Sequence, residues 1–199
     1  MLLIRLTQKL QKEMGLKSAD LTTDEEACAP FEEWYANVFL LDREKQIIFM
    51  EPQTLFSFCV ENVGRKDIRE RFLELFHKGL SKALFIEGVS SELMSKIMDV
   101  CRGELKFSKT NSSRVLGVMN DHIQHQKYAF WDQDRPVYLQ DRYNRYMPSR
   151  GFSDGSKNYK FPIEVFAKKV KERFDLDFTP HKQDFYEKIH SDDPFDLEV

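Results

Sequence analysis

The chain has 199 residues, of which 41% are hydrophobic and 32% are charged, and its formal net charge is -3. This length favours one globular domain with its own core, and the near balance of charge excludes a chain that is strongly basic or acidic as a whole. The N-terminal apolar run is interrupted at Arg5, too early for a signal peptide, and no run approaches the roughly 18 apolar residues of a spanning helix. We therefore expect a cytoplasmic protein without a membrane partner.

Metal and cofactor motifs are missing from the sequence. The three cysteines, Cys28, Cys59 and Cys101, are far apart and form no CxxC pair, which argues against a structural zinc site and favours a reducing compartment. His122 and His125 form an HxxH pair, but two histidines without a third ligand do not define a metal site. The sequence also has no P-loop, GxGxxG, GxSxG or HExxH motif. We predict neither a metal nor a cofactor.

The first third of the chain predicts a sheet. Residues 2–7 predict a strand and residues 9–16 a short helix. Residues 34–62 predict a β-meander, because three runs rich in β-branched and aromatic residues are separated by charged or proline-containing turns. The first of these runs is apolar on both faces, which is typical of a central strand covered by helices.

Helices dominate the remainder. Residues 66–85 predict one long amphipathic helix and residues 90–102 a second, followed by an edge strand over 104–109. A further helix is predicted from about 111 to 126, and Pro162 is expected to open the last one.

These elements together predict an α+β domain over residues 1–175. Its sheet is expected to be small, mostly antiparallel (the β-meander) and covered by helices. Residues 136–147 predict a helix or an irregular aromatic segment, and 149–160 a loop. Residues 176–199 predict an acidic C-terminal tail that docks weakly or stays mobile, because it has much charge and few periodic apolar residues.

Charge is distributed unevenly along the chain. Residues 102–173 carry 15 lysines and arginines against 8 aspartates and glutamates, whereas residues 174–199 carry 2 against 8. One interpretation is that the basic segment meets phosphates and the tail competes for the same surface. The alternative is that the basic residues lie on the solvated faces of helices, as charge runs commonly do.

The helix predicted after residue 111 carries the first candidate site. Arg114, Gly117, Asp121 and His125 are spaced by three, four and four residues, so they share one face. A helix N-terminus with polar neighbours favours an anion, which suggests a nucleotide or phosphate site. The alternative is a close helix crossing at Gly117, with Arg114 paired internally. The polar neighbours that would extend this site are Lys109, Thr110 and Asn111.

Two other stretches supply candidates. Residues 141–152 interleave arginines with aromatic residues around Asn144 and Arg145, a pattern that can bind single-stranded nucleic acid but also lines packed surfaces. Asn37 interrupts an otherwise apolar strand, where its amide could hold a loop or contact a ligand.

The order of the motifs MLLIRLTQKL, EEWYANVFLLDREKQIIFMEPQTLFSF, KTNSSRVLGVMNDH, NRYMP and YKFPIEVF resembles a bacterial family classed as a domain of unknown function, over about residues 1–170. Members are sometimes fused to plasmid-ORF-3-like domains, so the resemblance implies a bacterial cytoplasmic protein with a link to mobile elements. It implies no activity. The polar positions that match are Trp34, Asn37, Arg43, Thr110, Arg114, Gly117, Asn120, Asp121, Asn144 and Pro148.

Two functions remain open from the sequence. The first is a binding module for nucleic acid or a protein partner, which the lack of a known catalytic motif favours. The second is an enzyme acting on a phosphate-containing substrate, in which Arg114 holds the anion and Asp121 or His125 serves as acid or base. Convergence of these residues with Asn144 in one pocket would favour the enzyme. The candidate binding residues are Lys109, Thr110, Arg114, Gly117, Asp121, Asn144, Arg145 and Asn37.

Overall fold

The structure, a computed structural model, describes residues 1–23, 28–131, 144, 145, 149, 152 and 159–180. It has the predicted α+β class, with a five-stranded sheet and six helices in the described ranges. The strands are β1 (Leu2–Leu6), β2 (Glu33–Leu41), β3 (Glu44–Met50), β4 (Ser57–Val60) and β5 (Leu105–Lys109). The helices are α1 (Gln8–Met14), α2 (Arg65–Glu70), α3 (Phe72–Ile86), α4 (Ser91–Val100), α5 (Ser113–Trp131) and α6 (Pro162–Phe174).

The sheet is mixed, which corrects the prediction of a mostly antiparallel sheet. Its strand order is β4-β3-β2-β1-β5. β1 pairs in parallel with both β2 and β5, whereas β3 is antiparallel to β2 and to β4. The physical reason is that β1 lies inside the sheet, and long connections that include helices lead from β1 to β2 and from β4 to β5. Such connections allow neighbouring strands to run in the same direction.

The central strand β2 has one face in each of two apolar clusters, as predicted for a strand covered by helices. Trp34, Ala36 and Val38 belong to the main core, together with residues of α1, α3, α4 and α6. Tyr35 and Phe39 point to the opposite face, where they form a second cluster with α5. The side chains that α5 contributes there are Val115, Met119 and Ile123.

Aromatic rings dominate the main core. Phe49 lies 5.0 Å from Phe58 and 5.2 Å from Phe76, measured between ring centroids, and Trp34 packs edge-on against both of these partners. Such stacked and edge-to-face contacts add stability beyond the area that the rings bury. One group of phenylalanines thus lies where α3 covers the sheet, and a second group lies around α6 and consists of Phe31, Phe56, Phe166 and Phe174.

The helix predicted over 66–85 is divided into α2 and α3, so the prediction of one helix is wrong. The backbone of Arg71 leaves the helical region, at φ -130° and ψ 20°. Its N–H still bonds to the carbonyl of Asp67, and its carbonyl accepts from Leu75, so one helix ends and the next begins at the same residue. Apolar spacing continues across this residue, which is why the sequence does not reveal the break.

Two helices begin with a capping serine or with proline, and the proline is the one predicted from the sequence. The Ser90 hydroxyl accepts from the N–H of Leu93 and caps α4, and Pro162 is the first residue of α6. β5 lies at an edge of the sheet, as predicted. The segments predicted over 136–147 and 149–160 lie largely outside the described residues.

Both outer strands have outward-facing backbone groups that are already bonded. On β4, the Asn144 side chain accepts from the N–H of Ser57 at 2.9 Å and donates to its carbonyl at 3.0 Å. On β5, the carbonyl of Phe107 accepts from the N–H of Thr22 at 2.7 Å. We call these two contacts the edge caps.

The start of the predicted tail packs against the domain. Leu176 and Phe178 contact the main core, and the Phe178 ring lies edge-on to Phe166 at 5.8 Å between centroids. Residues 181–199 lie outside the described part, so the prediction for the tail as a whole stays a prediction. Among the described residues, no helix combines the length and the apolar character needed to cross a membrane.

Candidate anion-binding cleft

A cleft opens beside the carboxyl ends of the parallel strands β1 and β5. The chain leaves β1 into α1, which packs on the main-core face, and leaves β5 into α5, which packs on the opposite face. Neighbouring parallel strands whose helices depart to opposite faces leave a crevice at their carboxyl ends, and open α/β sheets bind ligands in such crevices.

The cleft has a volume of about 600 Å³, which is in the range of small-molecule sites. Seven of the eight lining residues that the structure describes carry a lysine, amide or hydroxyl group, and none of the eight is acidic. They are Thr7, Gln8, Lys9, Lys12, Asn37, Thr110, Leu116 and Asn120. Two predicted candidates, Asn37 and Thr110, are therefore brought together here.

The two lysines give the cleft its charge. Lys9 and Lys12 are exposed and lie three residues apart on α1, so they are neighbours on one helix face. Neither ammonium group makes a hydrogen bond or an ion pair with any residue that the structure describes. Both are consequently available to an anion in the cleft.

Thr7 connects β1 to the cleft and to α1. Its N–H bonds to the carbonyl of Ala36 at 3.1 Å, which extends the parallel pairing of β1 and β2 by one residue. Its hydroxyl accepts from the N–H of Leu10 at 3.4 Å and caps α1. The same hydroxyl donates to the Asn37 carbonyl oxygen at 2.8 Å. Asn37 thus holds a neighbouring loop and also lines the cleft.

Two hydrogen bonds hold the start of α5, one just before the helix and one in its first turn. The Tyr35 hydroxyl donates to the Asn111 side chain, and the Arg114 guanidinium donates to the Pro52 carbonyl at 2.8 Å. Burial raises the pKa of the Tyr35 phenol and lowers the pKa of the Arg114 guanidinium. Arg114 therefore fastens α5 to the turn after β3 and is not among the described cleft lining.

The remaining α5 candidates lie on the surface. Gly117, Asp121 and His125 are exposed, and a Cβ placed on Gly117 would meet no atom within 4 Å. The alternative of a close helix crossing at Gly117 is therefore wrong for the described residues. No hydrogen bond or ion pair joins Arg114 to Asp121 in the described part of the chain. Arg114, Asp121 and His125 are not brought together around the cleft.

Asn144 and Arg145 point into the interior. Asn144 is 1% exposed and bonds to both Ser57 backbone groups and to the Glu87 carboxylate at 3.2 Å. Arg145 pairs with the same carboxylate at 2.6 Å. These two candidates tie their segment to the domain. Lys109 is exposed at the end of β5, directly before Thr110.

A buried serine–histidine contact, which the sequence did not predict, lies on the face of the sheet that α5 covers (the α5 face). The Ser57 hydroxyl lies 3.1 Å from Nδ1 of His122, and the two residues are 2% and 1% exposed. Burial lowers the pKa of the His122 imidazole to about 3. A pair so enclosed cannot meet a substrate, so it does not form a nucleophilic site. Among the described residues, no group of three or more histidine, cysteine or acidic side chains could hold a metal.

The cleft residues Thr7, Lys9 and Lys12 were also missed, because their segment has the pattern of an ordinary short surface helix. The available signal was Thr7 itself, which ends an apolar strand and stands in the capping position of the following helix. Asn120 was present only among the positions that match the resembled family.

Comparison with curated proteins and with solved structures found no match. A family model described as "Domain of unknown function (DUF6933)" matches residues 3–165, which include all of β1 except Leu2, the other four strands, α1 to α5 and every described lining residue of the cleft. Because this match covers most of the chain, the protein belongs to the DUF6933 family of domains of unknown function.

Proposed function

We propose that the protein is a binding module whose cleft takes a phosphate group of a small ligand such as a nucleotide. The observation that carries this proposal is that two lysines line the cleft without a hydrogen bond or ion pair to a described residue, while no described lining residue is acidic. The Glu13 carboxylate, which interacts electrostatically with Lys9, is itself paired with Lys45. Lysine ammonium groups and neutral amide or hydroxyl donors are groups that bind phosphate oxygens. Leu116 adds an apolar wall beside them.

A small ligand is favoured over an extended nucleic acid by how the basic residues are used. Lys169 and Lys171 of α6 form ion pairs with Glu172, Asp175 and Asp177. Arg173 pairs with Glu32, and Arg145 with Glu87. Much of the positive charge of residues 102–173 that the structure describes is thus compensated within the chain. The two lysines of the cleft, in contrast, belong to α1 and form no ion pair with a described residue.

The test is a calorimetric titration of the protein with ATP and, separately, with inorganic phosphate. Replacement of Lys9 and Lys12 by alanine should weaken ATP binding by at least about tenfold, since each charge-assisted contact contributes on the order of 1 kcal/mol or more. Binding should also weaken with added salt, and this salt dependence should be smaller in the double variant.

The matched control is the double variant Lys78→Ala/Lys82→Ala. These two lysines are exposed on α3, which contributes no described residue to the cleft, and their removal changes the net charge equally. The control should bind ATP as the wild type does. Equal weakening in both double variants would show a general charge effect and would refute the cleft as the site.

An enzyme that uses Arg114, Asp121 and His125 has no described geometry in its favour. Arg114 is bonded to the Pro52 carbonyl, and the other two side chains are on the exposed face of α5. We therefore propose binding without chemistry. The bacterial origin and the link to mobile elements rest on the sequence resemblance alone, and both of these and the cytoplasmic setting stay predictions.

A further inference from the structure

We propose that Thr7 and Asn37 set the selectivity of the cleft, with Thr7 fixing the Asn37 amide so that its NH2 group faces the ligand. Asn37 is then a specificity-determining residue that admits hydrogen-bond acceptors such as phosphate oxygens. Thr7 is a positioning residue that acts through Asn37. This inference rests on the proposed function, because it specifies how the same cleft chooses its ligand.

The first step concerns the single proton of the Thr7 hydroxyl. That oxygen already accepts from the N–H of Leu10 as the cap of α1. A hydroxyl has one proton to donate, and its nearest acceptor is the Asn37 side chain at 2.8 Å. In the structure the group of Asn37 that faces Thr7 is the carbonyl oxygen, which accepts this proton. Backbone pairing keeps the two residues adjacent, because Leu6 is in register with Ala36 and the N–H of Thr7 bonds to the Ala36 carbonyl.

The second step concerns the other end of the same amide. With its oxygen held by Thr7, the Asn37 NH2 group is directed away from Thr7. Asn37 lines the cleft and is half-buried, and its NH2 group has no hydrogen-bond partner among the residues that the structure describes. A half-buried donor pair without a protein partner is satisfied by water or by a ligand acceptor.

The third step combines this donor with its neighbours. Lys9 and Lys12 are donors only, and the Thr110 hydroxyl and the Asn120 amide can donate as well. If the Asn37 amide were turned around, its oxygen would face the cleft and would repel phosphate oxygens. The hydrogen bond from Thr7 stabilises the observed orientation instead, so the residue that caps α1 also favours a ligand with negative charge.

The decisive comparison is between Asn37→Asp and Asn37→Ala. Aspartate keeps an acceptor for the Thr7 hydroxyl but replaces the NH2 group by a negatively charged oxygen, whereas alanine removes both groups. We expect Asn37→Asp to weaken ATP and inorganic phosphate binding at least about tenfold more than Asn37→Ala does, because like charges in contact are strongly unfavourable. Equal losses in the two variants would overturn the inference.

A second measurement follows the amide directly. The side-chain NH2 signals of Asn37 in a 15N-labelled protein should shift on addition of inorganic phosphate. Thr7→Ser, which keeps both hydrogen bonds of the hydroxyl, should bind phosphate as the wild type does, and Thr7→Val should bind it more weakly. Phosphate binding that leaves the Asn37 NH2 signals unchanged would overturn the inference, whatever the variants show.

Failure of this inference can be told apart from failure of the proposed function. Phosphate binding that depends on Lys9 and Lys12 but is unaffected by Asn37→Asp would overturn the role of Asn37 and leave the cleft as the binding site. Absence of ATP and phosphate binding by the wild-type protein would overturn both.

Discussion

The two faces of the sheet are stabilised by different chemistry. On the main-core face, α3 covers aromatic rings that contact one another, and the residues of β2 directed there are Trp34, Ala36 and Val38. On the α5 face, apolar residues are mixed with buried polar contacts, such as Ser57 with His122. The first face gains its stability mainly from contact between apolar side chains, whereas the second also buries the His122 imidazole, whose protonation would cost free energy.

This difference bears on where the cleft lies. α1 comes from the main-core face and α5 from the other, and the cleft is bounded by both. Ligand binding would therefore couple the two faces. Perturbations directed at one face at a time can establish how independent they are.

The largest expected effect is that of pH on the α5 face. The folded pKa of His122 is about 3, against 6.5 for an unperturbed imidazole. Between these values the unfolded chain binds a proton that the folded protein does not, so the free energy of unfolding falls as pH decreases through this window. Each unit of difference between the folded and the unfolded pKa corresponds to about 1.4 kcal/mol. The free energy of unfolding should therefore fall by up to about 5 kcal/mol at the acid end of the window.

Urea unfolding of the wild type and of His122→Asn between pH 3 and 7 measures this effect. The free energy of unfolding of the wild type, relative to that of His122→Asn, should rise as pH rises to 6.5 and then stay constant. A difference that is constant over the whole range would contradict the prediction.

Glu51 should act with the opposite sign, since burial raises the pKa of its carboxyl to about 7. The stability that the protonated Glu51 carboxyl contributes is present below about pH 4.5 and is lost as pH rises through 7. Glu51→Gln should therefore remove this fall in the free energy of unfolding, measured by the same urea experiment.

The main-core face should respond to loss of volume at any pH. Phe49 is fully buried and its ring contacts Phe58, Phe72 and Phe76. Phe49→Ala should lower the free energy of unfolding by about 3–5 kcal/mol, because it removes apolar contact and leaves a cavity. Phe85→Ala is the matched control, since this ring is 74% exposed, and it should change stability by less than about 0.5 kcal/mol. Similar losses in the two variants, measured by urea unfolding, would show that the aromatic core is not where the stability lies.

The smallest effects are expected at one glycine on each face, and they should have opposite signs. A Cβ on Gly79 of α3 would lie 2.6 Å from a methyl carbon of Val60 and 2.8 Å from the ring of Phe58, so Gly79→Ala should cost about 1–3 kcal/mol through overpacking. A Cβ on Gly117 of α5 would meet nothing within 4 Å, so Gly117→Ala should stabilise the protein by up to about 1 kcal/mol through helix propensity. Thermal melting of both variants checks this, and a destabilised Gly117→Ala would indicate a contact beyond the described residues.

Sequence patterns predicted local structure better than strand pairing. The apolar run of β2 and the proline that opens α6 are local signals, and each was interpreted correctly. The parallel pairing of β1 was not predicted, because the partner of a strand is decided by tertiary packing that its own residues do not encode. The break at Arg71 escaped notice since it changes the backbone without changing the apolar spacing.

The candidate site was predicted only in part for a related reason. Asn37 and Thr110 were identified because polar residues beside an apolar strand or at a helix start are conspicuous, and both line the cleft. Asn144 and Arg145 have equally conspicuous side chains, yet they bond to Ser57 and Glu87 in the interior. Sequence shows which side chains carry polar groups. Whether such a group faces a cleft or the core depends on contacts between distant segments.

The edge caps have a consequence for how this chain meets other copies of itself. A bare edge strand offers unpaired N–H and C=O groups to any extended segment, which is a common route to fibrils and to swapped dimers. Here the amide of Asn144 occupies both backbone groups of Ser57, and Thr22 occupies the carbonyl of Phe107. An incoming strand would have to displace these bonds before it could form its own. A single asparagine side chain therefore blocks strand addition at the Ser57 end of β4, a position where many proteins place a charged residue or a whole helix.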